Sequence, residues 1–223
     1  MTRADKSELA TETARQALWQ ALRSGQLRDG QFLSMPQLVE LLACPIAAIR
    51  EAVRLACSQG LLTTLPKRGV QVMEVTPEVI RRCLDCRMAM DQEGARRRIA
   101  RGDLPHLAPL RDAHEAMLNA ALSGDMANLP PLAIQVDLSL HDYLASGLQN
   151  PWLEQAYEAN RMRIAIIQNA RPFLPDRVHS AMQEHLDILA ALEARDGGRV
   201  ESAIATHYRN TLRWWGAGQE RDA

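Results

Sequence analysis

Apolar residues recur at intervals of three and four along most of this chain, with a single interruption. Leu9, Ala14, Leu18, Ala21 and Leu22 form one such face over residues 8–24, which predicts a helix there. Gly25 and Gly30 bracket the short loop that follows. Ser34, Pro36 and Gln37 have the spacing of a capped helix start, because a hydroxyl and a side-chain amide three residues apart can each satisfy a free backbone N–H. Leu38, Leu41 and Leu42 supply the apolar side of that second helix. Pro45 opens a third, whose inner face is Ile49, Val53 and Ala56 and which ends at Gly60. The interruption comes next. Residues 61–65 and 70–75 are short β-prone runs around Pro66-Lys67-Arg68-Gly69, which predicts a hairpin. Three helices followed by a hairpin is the order of a winged helix-turn-helix, with the hairpin as the wing.

After Thr76-Pro77 the helical period runs on to residue 217 in about six segments, near 77–101, 104–123, 128–147, 150–170, 175–195 and 197–216. Gly102-Asp103, Gly124-Asp125, Arg171-Pro172 and Gly197-Gly198 mark the breaks. The expected fold is therefore mainly α: a winged helix-turn-helix in residues 1–75, then an all-α bundle of about six helices in 76–223.

Chemistry enters where polar residues occupy apolar slots. The face Ile134, Asp137, His141, Leu144, Leu148 holds a carboxylate and an imidazole four residues apart, on one side of one helix. Burying them without partners is costly. His185 falls among Met182, Leu189 and Leu192, and His207 follows Val200 and Ala203. One Asp and three His from three helices suit a divalent metal inside a bundle. A hydrogen-bonded core histidine is the ordinary alternative, and Asp137 and His141 could pair with each other. Periodicity also admits His114, on the stripe Leu107, Leu110, Met117, Ala121, so spacing nominates a site without closing its membership.

Composition narrows the classes. The chain is 47% apolar and 4% aromatic, which favours helices. A net charge of −1 excludes a global basic field, although the first 75 residues are mildly basic and all six histidines lie after residue 105. The start, Met1 to Lys6, is charged with no apolar stretch behind it, and no run approaches the roughly 20 apolar residues of a membrane helix. A cytoplasmic protein without a membrane partner is expected, with Cys44, Cys57, Cys83 and Cys86 as thiols. Cys83 and Cys86 have CxxC spacing, but inside a helical pattern and with no second pair they read as a buried pair of small residues.

At residue level the chain resembles a known family. Gly25-Gln26-Leu27-Arg28-Asp29-Gly30, Ile49-Arg50-Glu51-Ala52-Val53, Gly60-Leu61-Leu62 and Arg68-Gly69-Val70-Gln71-Val72 resemble the winged helix of GntR-type regulators. Arg87-Met88-Ala89-Met90-Asp91, Asp137-x3-His141, Asn150-Pro151-Trp152-Leu153, Glu184-His185 and His207 resemble the FCD ligand-binding domain of the FadR-like branch. The resemblance implies a DNA-binding transcription factor, not an enzyme, whose operator affinity responds to a small carboxylate metabolite. In the metal-dependent members, residues matching Asp137, His141, His185 and His207 hold a divalent ion; zinc, nickel and manganese are all admissible. Arg87 matches an arginine that faces the ligand, and a guanidinium can grip a carboxylate with two bonds. Double-stranded operator DNA is then expected to meet Ala47, Ala48, Arg50, Lys67, Arg68 and Gly69, and reading two half-sites calls for a homodimer.

The recognition helix departs from the family. The pattern S-R-[ST]-P-V-R is here Pro45-Ile46-Ala47-Ala48-Ile49-Arg50, so Ile46 stands in place of an arginine. An Ile or Ala can touch a thymine methyl but cannot bond a base edge or phosphate. The operator is expected to be atypical or bound modestly. A sensor that no longer binds DNA is one competing class. A His/Asp metalloenzyme is another, since an ion with open positions can activate water. Its nearby bases, Asp142 and Glu184, read as helix-surface residues.

Overall fold

The computed structural model describes residues 3–123, 129–171 and 174–218. Two compact units emerge, one of residues 1–79 with 161–171 and one of residues 80–160 with 172–223.

In the first unit, α1 (Arg3–Arg23) starts five residues before the expected position. Next come β1 (Phe32–Leu33), α2 (Met35–Leu42), α3 (Ile46–Ser58), β2 (Leu62–Leu65) and β3 (Gly69–Val72). The capping box is present: the Ser34 hydroxyl accepts from Gln37 N–H, and Gln37 Oε1 accepts from Ser34 N–H at 2.8 Å. Ala43, in the left-handed region at φ 49°, ends α2. The wing pairs Leu62 with Val72 and Leu65 with Gly69, and alternation turns Val70 and Val72 inward. β1 joins the other side of β3, giving the antiparallel order β1-β3-β2. It was not foreseen, because two residues carry no readable alternation. A Cβ on Gly69 would lie 2.1 Å from the Leu33 carbonyl oxygen, so the wing can approach β1 only with glycine there.

The expected division at 75/76 differs from the observed grouping in one respect besides the 79/80 cut. Residues 161–171 pack with the winged helix. Asn169 Nδ2 donates to the carbonyls of Leu22 and Arg23 at 3.0 and 3.1 Å, and Arg163 donates from Nε and Nη2 to the Gln59 carbonyl at 3.0 and 2.6 Å. These carbonyls lie at helix ends, where intrahelical partners run out.

The second unit is built from α4 (Pro77–Arg101) beyond its first turn, α5 (Leu107–Ser123), α6 (Leu129–Ser146), the first half of α7 (Pro151–Ala170), α8 (Pro175–Glu193) and α9 (Gly197–Trp214). α5 begins three residues later than expected. Pro105 disfavours helix at Leu104, and His106 is held at φ 61°. The breaks expected at 124–125 and at Pro172 lie outside the described residues. Met117, Ala133, Val178, Ala181 and Met182 form one core cluster between α5, α6 and α8. Met90, Ala145, Leu148 and Tyr157 form another between α4, α6 and α7.

The α4–α6 crossing is close. A Cβ on Gly94 would stand 2.0 Å from the Leu144 carbonyl oxygen, and one on Gly147 would stand 2.5 Å from that of Gly94. Arg97, Arg98 and Arg101 of α4 donate to the carbonyls of Leu148, Tyr143 and Gly147 at 2.6, 3.0 and 2.7 Å. They satisfy the end of α6 and complement its dipole. Among the described residues no helix is long and apolar enough to cross a membrane. The four cysteines form no disulfide, and of the pair expected to be buried, Cys83 is buried but Cys86 is exposed, because three residues along α4 turn it off the inner face.

Candidate metal centre

α6 holds Asp137 and His141 one turn apart on its inner face; α8 brings His185 and α9 brings His207. All four are buried, and one donor atom from each lies within 4.8 Å of the others. His185 Nε2 is 3.4 Å from His207 Nε2 and 3.6 Å from Asp137 Oδ1. Donors each about 2.1 Å from a shared ion stand about 3–4 Å apart, so these two separations suit a metal, and the widest pair of the set, within 4.8 Å, would have to draw in slightly around one. The sequence nominated these four residues, and the fold brings them together.

Each imidazole is engaged at its other nitrogen. His141 Nδ1 donates to Asp91 Oδ2 at 2.6 Å, and Asp91 also accepts from the Tyr208 hydroxyl at 2.6 Å. With Nδ1 protonated, His141 Nε2 carries a lone pair, and that atom is buried with no hydrogen-bond partner. His207 Nδ1 donates to Glu184 Oε2 at 2.8 Å. Glu184 in turn accepts from Arg177 Nη1 at 2.9 and 3.0 Å and from Asn210 at 2.8 Å. His185 Nδ1 is 3.2 Å from His114 Nε2, and His114 Nδ1 is 2.7 Å from the Leu110 carbonyl. Carboxylates behind metal-bound histidines orient the ring and raise its basicity.

The electrostatics suit neutral imidazoles beside fixed charges. Burial, with His207 and His114 adding to it, holds His185 well below its ordinary value. Burial also lowers His207 and His114. Burial opposes the charge of Glu184, but the hydrogen bonds from His207 and Arg177 outweigh it and hold the carboxyl at about 2. Burial pushes Asp91 up to about 7, against the pull of Arg87 and the Tyr208 hydroxyl. An ion drawing on the His141 lone pair would favour the form in which Asp91 is ionised.

Arg87 stands on α4 one turn before Asp91 and is 5% exposed. Its Nη2 is 3.6 Å from Asp137 Oδ2 and makes no hydrogen bond. Burial opposes its charge, but Tyr208, Asp137 and Asp91 outweigh that and raise its pKa. A buried guanidinium nitrogen without a hydrogen bond is expensive unless something else meets it.

In the first unit, Ala47, Arg50, Lys67 and Arg68 are exposed, and Arg50, Lys67, Arg68 and Gly69 line one cleft with Ser34. Ile46 is 45% exposed at the start of α3. Ala48 requires correction: it is 5% exposed and turned into the core, so its methyl presents nothing to a base. Gly69 is required by its approach to Leu33.

Sequence reasoning missed the supporting residues. Glu184, read as a helix-surface carboxylate, is tied to Arg177, Asn210 and His207. Asp91 and Tyr208 were given no role, and His114 was admitted only by period. The available signal was Asp91 one turn after Arg87 on a helix otherwise packed by Cys83, Leu84 and Met90.

A family model described as FCD domain matches residues 82–210. The chain is 22% identical over 208 residues to an "Uncharacterized HTH-type transcriptional regulator BphR" of Paraburkholderia xenovorans (strain LB400), covering 88% of this chain and 83% of that protein. Its fold resembles the solved structure of E. coli McbR/YncC, with a TM-score of 0.74 and 21% identity over 93% of this chain and 97% of that one. It also resembles a putative GntR regulator from Rhodococcus sp. RHA1, with a TM-score of 0.72 and 20% identity over 94% and 99%.

Proposed function

The chain belongs to the FCD-domain family of GntR-type transcriptional regulators, and from that premise we propose that it is a metal-dependent, metabolite-responsive one. Asp137, His141, His185 and His207 hold one divalent ion, of which zinc, nickel and manganese are the candidates. The observation that carries this reading is the buried His141 Nε2. Its lone pair has no partner, while its Nδ1 is committed to Asp91. A proton there would add a buried positive charge; a metal uses the lone pair as it stands.

When bound, the ion supplies a fixed positive charge and coordination positions for an anionic ligand. The protein's own groups set the balance. Asp137, Asp91 and Glu184 are three carboxylates against two guanidinium groups, Arg87 and Arg177, so a divalent ion leaves the site with one net positive charge. A monocarboxylate neutralises that, with Arg87 Nη2 as the donor to one of its oxygens. A hydrolytic reading is less favoured. Glu184 is committed to Arg177 and Asn210, and Asp142 accepts from the Tyr157 hydroxyl at 2.9 Å.

In the first unit, Arg50, Lys67, Arg68 and Ala47 are proposed to face operator DNA, with two chains reading two half-sites as a homodimer. Elemental analysis of chelator-free, purified protein is expected to return one divalent ion per chain. Chelation should lower the melting temperature, and metal return should restore it. Protein that carries no ion, and whose melting point ignores both treatments, would reduce the four residues to a polar core. For the DNA reading, selection from a random duplex library should enrich a two-fold repeat; no enrichment would sink it.

A further inference from the structure

We propose that His114 is a positioning residue that fixes the tautomer of His185 and so keeps its Nε2 lone pair available; its use by an ion rests on the reading above. The argument is a chain of obligatory donors and acceptors. A carbonyl oxygen can only accept, so at 2.7 Å from Leu110 O, His114 Nδ1 must carry the proton. The neutral His114 ring then has its lone pair on Nε2. That atom faces His185 Nδ1 at 3.2 Å, so His185 donates from Nδ1. The neutral His185 ring in turn has its lone pair on Nε2, the atom 3.4 Å from His207 Nε2 and 3.6 Å from Asp137 Oδ1.

His114 therefore does for His185 what Asp91 does for His141 and Glu184 does for His207, but without charge. A third carboxylate in that place would cancel the single positive charge that an anionic ligand needs. His114 and His185 are both 0% exposed, so bulk solvent does not reach the pair. The two rings sit on α5 and α8, the pair of helices that share the Met117 and Met182 cluster.

The test uses full-length protein labelled with nitrogen-15 at histidine, stripped with chelator, and zinc as the probe. Two-bond nitrogen–proton correlations should show His185 as the Nδ1–H tautomer in wild type. His114→Leu removes the acceptor and should release that preference. Zinc affinity, read by competition with a chromophoric chelator, should fall about 10- to 100-fold in that variant. His114→Gln offers a neutral acceptor near the same place and should recover most of the loss. Finding His185 as the Nε2–H tautomer in wild type overturns the proposal, even if His114→Leu fails to fold. Wild-type zinc affinity in a folded His114→Leu variant with a lowered metal-free melting point also overturns it, since that is how a mere packing residue behaves. Wild type that takes no zinc yet shows the Nδ1–H tautomer supports the role of His114 and refutes the metal reading alone.

Discussion

Replacing Gly94 with Ala separates local from tertiary control of this fold, because the two give opposite signs. Gly94 lies in the interior of α4, where alanine is favoured over glycine by about 1 kcal/mol from backbone entropy and helix propensity. Propensity alone therefore expects a more stable protein. The structure expects the reverse. The new methyl would sit 2.0 Å from the Leu144 carbonyl oxygen, against an ordinary contact of well over 3 Å. A methyl has no rotamer with which to escape, and the obstacle is backbone. α4 and α6 must then move apart until that contact is relieved, loosening the arginine contacts to the end of α6 and the packing of Met90, Ala145 and Leu148. Overpacking of this kind costs about 1–3 kcal/mol net, equivalent to a fall of about 2–12 °C in melting temperature at this chain length. α4 carries Arg87 and Asp91 while α6 carries Asp137 and His141, so metal affinity should fall as well. Thermal melts followed by circular dichroism, in chelator and in zinc, make the measurement. Gly198→Ala is the control: its Cβ meets nothing closer than 3.7 Å, so it should be neutral or stabilising. A Gly94→Ala protein that melts at or above wild type with undiminished zinc affinity would refute the close crossing and the account of the site built on it.

Metal-free stability should fall as pH drops through about 6.5. The unfolded chain takes protons on His114, His185 and His207 that burial denies them in the native state; Asp91, raised to about 7, works the other way by one proton. Counting these four groups alone, the net is two extra protons in the unfolded state, a slope of up to about 3 kcal/mol per pH unit. Denaturant midpoints that are flat or rise between pH 7.5 and 5.5 would contradict the buried neutral rings. Asp91→Asn should weaken zinc binding about 10- to 100-fold while the protein stays folded, because an amide orients His141 less well than a carboxylate; equal affinity would remove Asp91 from the site. Arg50→Ala should cost about 1–3 kcal/mol of operator affinity if Arg50 meets a guanine edge. Arg54, ion-paired with Glu51 on the same helix, should cost less. Equal losses in a gel shift would argue against this placing of the recognition helix.

Much of this protein is written in short-range pattern. Helix faces such as Leu18 and Leu22 or Ile49 and Val53, the Ser34–Gln37 cap and the wing around Gly69 depend on residues within a turn or two of each other, and period alone exposes them. The four ligand candidates were visible for the same reason, since polar side chains in apolar slots break a period. β1 was not visible, because two residues become a strand only when β3 is there to pair with. The start of α5 was displaced by the loop geometry around His106. The inward turn of Ala48, the closeness of Gly94 to Leu144, and the joining of residues 161–171 to the winged helix depend on contacts made far along the chain. Above all, the sequence determined that an aspartate and three histidines would face a core. Tertiary packing alone decided that Asp91, Glu184 and His114 would stand behind the three rings, because a hydrogen bond across 50, 23 or 71 residues leaves no mark on any local period.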